Sequence, residues 1–173
     1  MSPIEVGFSL GSNLSDRLSS LRQARDALAA QPGITLSAVS PVYETAPVNV
    51  PAEHQEKCFL NAVVITHCSL SPSILLERIQ NIESRLGRVR TTTPNTPRTI
   101  DIDILYMDNL TVSTPDLTLP HPRWRVRRFV VQPLADVRPD LKLPNSPLSV
   151  REILFSLPKE PNVVLFSRNW ENS

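Results

Sequence analysis

An α+β fold, with helices packed on an antiparallel or mixed sheet, is predicted by three features of the sequence. Stretches with the alternation of half-buried strands recur, most clearly in Ile100-Asp101-Ile102-Asp103-Ile104. Between them, Leu18, Leu21, Ala24 and Leu28, and again Leu75, Ile79, Ile82 and Leu86, fall at helical spacing. The order β-α-β followed by β-α-β, with further pieces behind it, is the ferredoxin-like arrangement.

Ile4 to Leu10 reads as a first, largely buried strand. Gly11 suits a tight exit from it, and Asn13 or Ser15 a helix N-cap. The helix that follows stops at Pro32-Gly33. Thr35 to Tyr43 has strand character, with Pro41 marking an edge or bulge. Glu44 to Glu56, with Pro47 and Pro51, reads as a long loop. Cys58 to His67 is a second strong strand whose parity sets Phe59, Asn61 and Val63 on one face and Leu60, Ala62 and Val64 on the other. Ser71-Pro72 opens the second helix and Gly87 closes it. Thr91 to Thr96 forms a flexible loop before the aspartate strand. Asp108-Asn109 is a turn signal after which Leu110 to Ser113 is expected to return antiparallel as a short edge strand. Arg123 to Arg128 reads as a short basic turn, and Phe129 to Val131 as a strand or extended segment. Leu148 to Leu157 is expected as a short helix capped at Ser149, and Val163 to Phe166 as one more extended run.

At 173 residues the expectation is one domain, 1–173, large enough for a real core. Apolar content of 40% and charged content of 20% describe an ordinary globular chain. A net charge of +1 argues against a dedicated nucleic-acid binder. No apolar run approaches the ~18–20 residues of a membrane span, so no membrane partner is expected. The N-terminus lacks the build of a signal peptide. Cys58 and Cys68 make neither a disulfide framework nor a metal set, and read as reduced packing residues of a cytoplasmic protein. A monomer is expected. The 17 prolines scatter through loops and stiffen them.

Asp101 and Asp103 share one strand face, about 6–7 Å apart at Cα. At an effective dielectric of about 20 their charges repel by about 2–3 kcal/mol. A solvated face and a divalent-cation pair both explain them, and Mg²⁺ favours one or two carboxylates with phosphate oxygens. Arg78, Arg85, Arg88, Arg90 and Arg98 precede the pair, and Arg123, Arg125, Arg127 and Arg128 follow it. Arginine's planar fork matches phosphate oxygens, although Arg88 and Arg90 also complement the end of a helix. With only four glycines there is no Gly-rich P-loop, so phosphate handling would fall to metal and arginine. His54, His67 and His121 are too dispersed for a zinc site. Phe59 and Asn61, two apart on one strand, suit either a core position or a surface that stacks a planar ring and reads its edge.

Gly11-Ser12-Asn13-Leu14, Phe59-Leu60-Asn61-Ala62, Gly87-Arg88-Val89-Arg90, Pro97-Arg98-Thr99-Ile100-Asp101-Ile102-Asp103-Ile104, Pro120-His121-Pro122-Arg123 and Arg128-Phe129-Val130 occur in that order. Together, from about Ile4 to Arg151, they resemble the 6-hydroxymethyl-7,8-dihydropterin pyrophosphokinases of folate biosynthesis. The resemblance implies transfer of pyrophosphate from ATP to the pterin hydroxymethyl group, by in-line attack on the β-phosphorus with AMP leaving. It implies two Mg²⁺ ions on Asp101 and Asp103, with Asp101 the nearer to the pterin. Arg88 and Arg98 resemble mobile-loop arginines that meet the phosphates. His121, Arg127, Gln80, Glu83, Ile104 and Thr118 correspond to the ATP side. Phe59 and Phe129 would sandwich the pterin and Asn61 would read its edge, with Thr45, Ala46, Pro47 and Val48 beside them. Asn95 stands where the family often has an aromatic, Thr96 where it has Gly or Ala, and Phe59 where Tyr is common. A catalytically weak pterin- or nucleotide-binding paralogue is the alternative. An RNA-binding module would need basic strands with paired surface aromatics, which the aspartates oppose.

Overall fold

In the computed structural model, which describes residues 2–47, 52–54, 57–89, 91–94 and 96–171, alternation and helical spacing resolve into eight strands and four helices. Val48, Pro51, Glu56, Arg90 and Asn95 of the residues named above lie outside the described residues. The strands are β1 (Ile4–Ser12), β2 (Ile34–Val39), β3 (Val42–Thr45), β4 (Phe59–Cys68), β5 (Asp101–Met107), β6 (Val112–Ser113), β7 (Thr118–Leu119) and β8 (Val163–Ser167). The helices are α1 (Arg17–Ala29), α2 (Pro72–Arg85), α3 (Arg128–Val137) and α4 (Val150–Ser156).

The main sheet runs β5-β1-β4-β3-β8, with β2 sharing the same side of β4 as β3, and its described pairings are antiparallel. The first four ferredoxin-like strands are thus β1, the broken β2/β3, β4 and β5. Ser40-Pro41 makes the break, because proline has no amide to give the ladder. Val6, Phe8, Leu10, Leu60, Ala62, Val64, Ile102 and Ile104 face α1 and α2, where Leu21, Leu28, Leu75 and Ile79 bury against them. Each such aliphatic side chain contributes roughly 1.5–3 kcal/mol on full burial. The opposite face, with Val63, Ile65, Leu105 and Tyr106, packs under Val130, Val131, Leu134 and Ile153 of α3 and α4. A register shift between Gly7 and Phe8 lets Leu105 and Tyr106 both serve that side. Gly7 lies there because a Cβ would come within 2.3 Å of the Tyr106 ring. Among the described residues no helix is long and apolar enough to cross a membrane, and both cysteines are free, Cys68 buried and Cys58 half-buried.

Four expectations are corrected. Asp16, not Asn13 or Ser15, caps α1, accepting the Ser19 amide, and Ser15 takes a positive φ of 58°. Gly11 is not a tight exit but an ordinary strand position paired to Asn61 and Asp101. Leu110 to Ser113 does not return along the aspartate strand, since Val112–Ser113 pairs with Thr118–Leu119 in a separate ribbon. Phe129 to Val131 is the start of α3, not a strand. The two valines look strand-forming, but Val130, Val131 and Leu134 are spaced as one helical face.

Candidate active site

Where α3 and α4 leave the second sheet face uncovered, a cavity of about 480 Å³ opens over the ends of β1, β4 and β5. Strand register sets its floor. Asp101 pairs with Gly11, and Gly11 with Asn61, so one carboxylate and one amide stand two strands apart on the same face. Gly11 between them has no side chain, and a Cβ there would point toward Asn61 Oδ1 at 3.5 Å and Phe59 at 3.8 Å. A second row runs Phe59, Thr45, Val163. Asn61, only 4% exposed, donates from Nδ2 to Thr45 Oγ1 at 2.8 Å, which fixes its amide orientation. Phe129, at the start of α3, lines the same cavity.

Asp103 stands beside Ser9 on the same face as Asp101. Burial, and then the charge of Asp101, push its carboxyl up to about 7 against the pull of Arg127. Arg88 follows Gly87, which ends α2 with a φ of +84°. Its guanidinium donates to Asp101 Oδ1 at 2.6 Å and to Glu83. Burial would lower the Arg88 pKa, but Asp101 and Glu83 more than offset it. Glu83, 3% exposed, also accepts the Ile102 amide at 2.8 Å. Its own pKa is raised by burial, with that amide and Arg88 holding the rise back. Glu83 therefore couples the end of α2 to the aspartate strand from below.

Arg98 is set by its backbone. Its amide donates to Asn13 Oδ1 at 2.8 Å and its carbonyl accepts from the Asn13 amide at 3.2 Å. Its guanidinium lies 5.5 Å from the Phe59 ring centroid, with Nε 3.7 Å from Asp101 Oδ2. Arg127 lies in the same way over Phe129, at 5.6 Å. His121 is pushed down to about 4 by burial and by Arg127 and Arg123, so it is neutral near pH 7. Its Nδ1 accepts the Arg123 amide at 3.1 Å, which leaves Nε2 as the N–H donor.

Of the residues singled out in the sequence, Thr45, Ala46, Phe59, Asn61, Arg88, Arg98, Asp101, Asp103, His121, Arg127 and Phe129 line this one cavity. Pro47, Gln80, Glu83, Ile104 and Thr118 do not. Ile104 gives its side chain to the α1/α2 core, Glu83 is buried beneath Arg88, and Gln80 and Thr118 are exposed. Arg123 and Arg128, of the arginine group expected to handle phosphate, also line it, and Ser9, Gly11, Val126, Val130, Pro161 and Val163 complete the lining without having been singled out for it. A glycine inside a strand, which often marks close approach of a ligand, was the available signal for Gly11.

A family model described as 7,8-dihydro-6-hydroxymethylpterin-pyrophosphokinase (HPPK) matches residues 7–139. The chain is 43% identical over 130 residues to the 2-amino-4-hydroxy-6-hydroxymethyldihydropteridine pyrophosphokinase of Bacillus subtilis (strain 168), covering 75% of each chain. It is 39% identical over 155 residues to the protein of that name from Pseudomonas aeruginosa (strain PAO1), covering 90% of this chain and 93% of that one. Among solved structures, Plasmodium falciparum HPPK-DHPS, wild type with pteroate, superposes with a TM-score of 0.69 at 15% identity, over 88% of this chain. The chain spans 42% of that longer one, and the likeness is one of fold. With the model matched across most of its length and relatives near 40% identity over at least three quarters of it, the chain belongs to the 7,8-dihydro-6-hydroxymethylpterin-pyrophosphokinase family.

Proposed function

We propose that this pyrophosphokinase transfers the β,γ-pyrophosphoryl unit of ATP to the hydroxymethyl oxygen of 6-hydroxymethyl-7,8-dihydropterin. The new bond joins that oxygen to the β-phosphorus, the bond from the β-phosphorus to the α,β-bridging oxygen breaks, and AMP leaves. The observation that carries this reading is the row Asp101, Gly11, Asn61, which sets a carboxylate across an open floor from an amide able to read a heterocycle's edge. Phe59 and Phe129 supply flat faces to the same cavity. Asn61 is pre-oriented by Thr45, so its amide presents a fixed polar edge to the ring.

Phosphate would meet Arg88, Arg98, Arg127 and neutral His121, whose Nε2–H donates without adding charge. Arg88 exchanges its carboxylate partner Asp101 for phosphate oxygens, while Glu83 keeps hold of it. Asp101 stands nearer Asn61 than Asp103 does, in the same cross-strand row, and is the carboxylate placed to take the hydroxyl proton.

Asp101 and Asp103 are the residues that would hold two Mg²⁺ ions. The donor set fits: a cation beside the pair relieves the cost that raises Asp103. Among the described residues no cluster of three or more His, Cys, Asp or Glu could cage a metal. Two hard carboxylates completed by phosphate oxygens and water are what Mg²⁺ favours. Bound there, it supplies charge screening on the phosphates and a lowered pKa for the attacking hydroxyl.

The test is AMP release from ATP, Mg²⁺ and 6-hydroxymethyl-7,8-dihydropterin. Wild type is expected to form AMP only with the pterin present. Asp101→Ala is expected to lower kcat by about a thousandfold or more, with unfolding temperature little changed. Tight binding of both substrates with no turnover would select a non-catalytic binding protein, and wild type inert toward the pterin in both respects would end the proposal.

A further inference from the structure

The family match ends at residue 139, yet Pro161 and Val163, beyond it, line the cavity. Val163 pairs with Thr45, and Thr45 with Phe59, so Val163 extends the cavity floor by one strand past the residue that orients Asn61. The segment carrying both is tied at each end. At its start, Arg128 Nη1 donates to the carbonyls of Leu154 and Leu157, each at 3.3 Å, where α4 ends. Beyond β8, Trp170 is fully buried against the α1 side of the sheet. Its indole N–H donates to Ser40 O at 2.7 Å, at the β2/β3 break. Its own carbonyl accepts from Arg22 Nε at 3.1 Å and Arg25 Nη1 at 3.0 Å, and the Arg25 guanidinium lies 5.1 Å from its ring. An aromatic buried with both polar ends satisfied anchors the chain after β8 and holds β8 against β3.

From this geometry we infer that the C-terminal strap, residues 158–170, forms a specificity-determining wall at the heterocycle end of the cavity, with Val163 as the contact and Trp170 as its positioning anchor. The inference rests on the proposed pterin reading. Asp101 and Asp103 stand on β5, and Arg88 just after α2, across β1, β4 and β3 from the strap. A change in the strap therefore acts on the heterocycle and leaves ATP alone.

The experiment measures Kd for 6-hydroxymethyl-7,8-dihydropterin and for Mg-ATP by calorimetry, with KM and kcat from AMP release, in wild type, Val163→Ala, Trp170→Ala and Trp170→Phe. Val163→Ala should weaken pterin binding about tenfold, the low end for lost apolar contact in a pocket, with ATP unchanged. Trp170→Ala should do the same through the wall, and Trp170→Phe should recover most of the loss. Should Trp170→Ala fail to fold, Val163→Ala on the edge strand decides alone. Unchanged pterin affinity in Val163→Ala, or parallel loss of pterin and ATP, overturns the inference. Wild type that binds pterin but forms no AMP defeats the proposed reaction alone and leaves the binding comparison to decide the strap. Wild type that does not bind pterin overturns both.

Discussion

At one end of the cavity Asn61, Thr45 and Phe59 stand on paired strands, their spacing set by ladder hydrogen bonds. At the other, Arg88, Arg98, His121 and Arg127 stand on segments between elements, held by ion pairs and backbone clips. The first end can change only if the sheet changes its register, which would turn every core side chain outward. The second is held by contacts for which a triphosphate placed as proposed would compete directly, Arg88 on Asp101 above all. On the proposed reading a planar heterocycle would meet a preformed surface, whereas the phosphates would meet groups that exchange partners. Glu83 makes that exchange tolerable, because Arg88 keeps one buried carboxylate when it releases the other.

The largest effect short of removing Asp101 is expected from filling the strand-borne end. Gly11→Val directs two methyl groups toward Asn61 and Phe59, into the floor between the amide and the carboxylate. Overpacking of that kind costs about 1–3 kcal/mol, so pterin affinity should fall about five- to 150-fold. ATP affinity should hold, because the loop-borne groups do not rest on Gly11. Titration of each ligand separately reads the split. Equal losses for both ligands would mean that the two ends are not independent structures.

How far this contrast was legible in the sequence follows from the same distinction. Alternation exposed Asp101 and Asp103 on one face and Ile102 and Ile104 on the other, since a strand's period is local. The partners of those strands are not local, so Gly11 has the sequence look of a turn residue, and only register sets it between Asp101 and Asn61. Asn13 has the chemistry of a cap, and only the fold reveals that it clips Arg98, 85 positions away. Phe129-Val130-Val131 misled because β-branched residues favour strands, while burial on two sides of a helix turn decided otherwise. Pro161 and Val163 carry no motif. Their place in the cavity comes from β8 adding to β3, a pairing of residues about 120 apart that no window could show.

The strand-borne carboxylate that faces the loop-borne arginines makes a pH prediction of intermediate size. Asp103 ionises near 4 in an unfolded chain and at about 7 in the fold. Between those values the folded protein keeps a proton that the unfolded chain has released, so stability falls as pH rises through that window. Asp103→Asn has no such proton. Its unfolding temperature should exceed that of wild type by a few degrees above about pH 7, with the gap closing toward about pH 4. Mg²⁺ with ATP should close the gap from the other side, by stabilising the ionised wild type. Melting curves across pH measure it, and a gap that does not vary with pH would remove the electrostatic account of the pair.

The smallest effect is expected at Phe59, and its smallness is what it tests. Phe59→Tyr changes neither the ring's face nor its strand register. The Arg98 guanidinium 5.5 Å from the centroid meets the same quadrupole in either ring. A preformed heterocycle end should absorb the added hydroxyl, with kcat and the pterin KM within about twofold, or roughly 0.4 kcal/mol, of wild type. Steady-state AMP formation gives both constants. A much larger rise in kcat, with KM unchanged, would show that the hydroxyl acts through Arg98 on the phosphates. The boundary between the rigid and the exchanging ends would then run through Phe59 itself, not between β4 and the arginine segments.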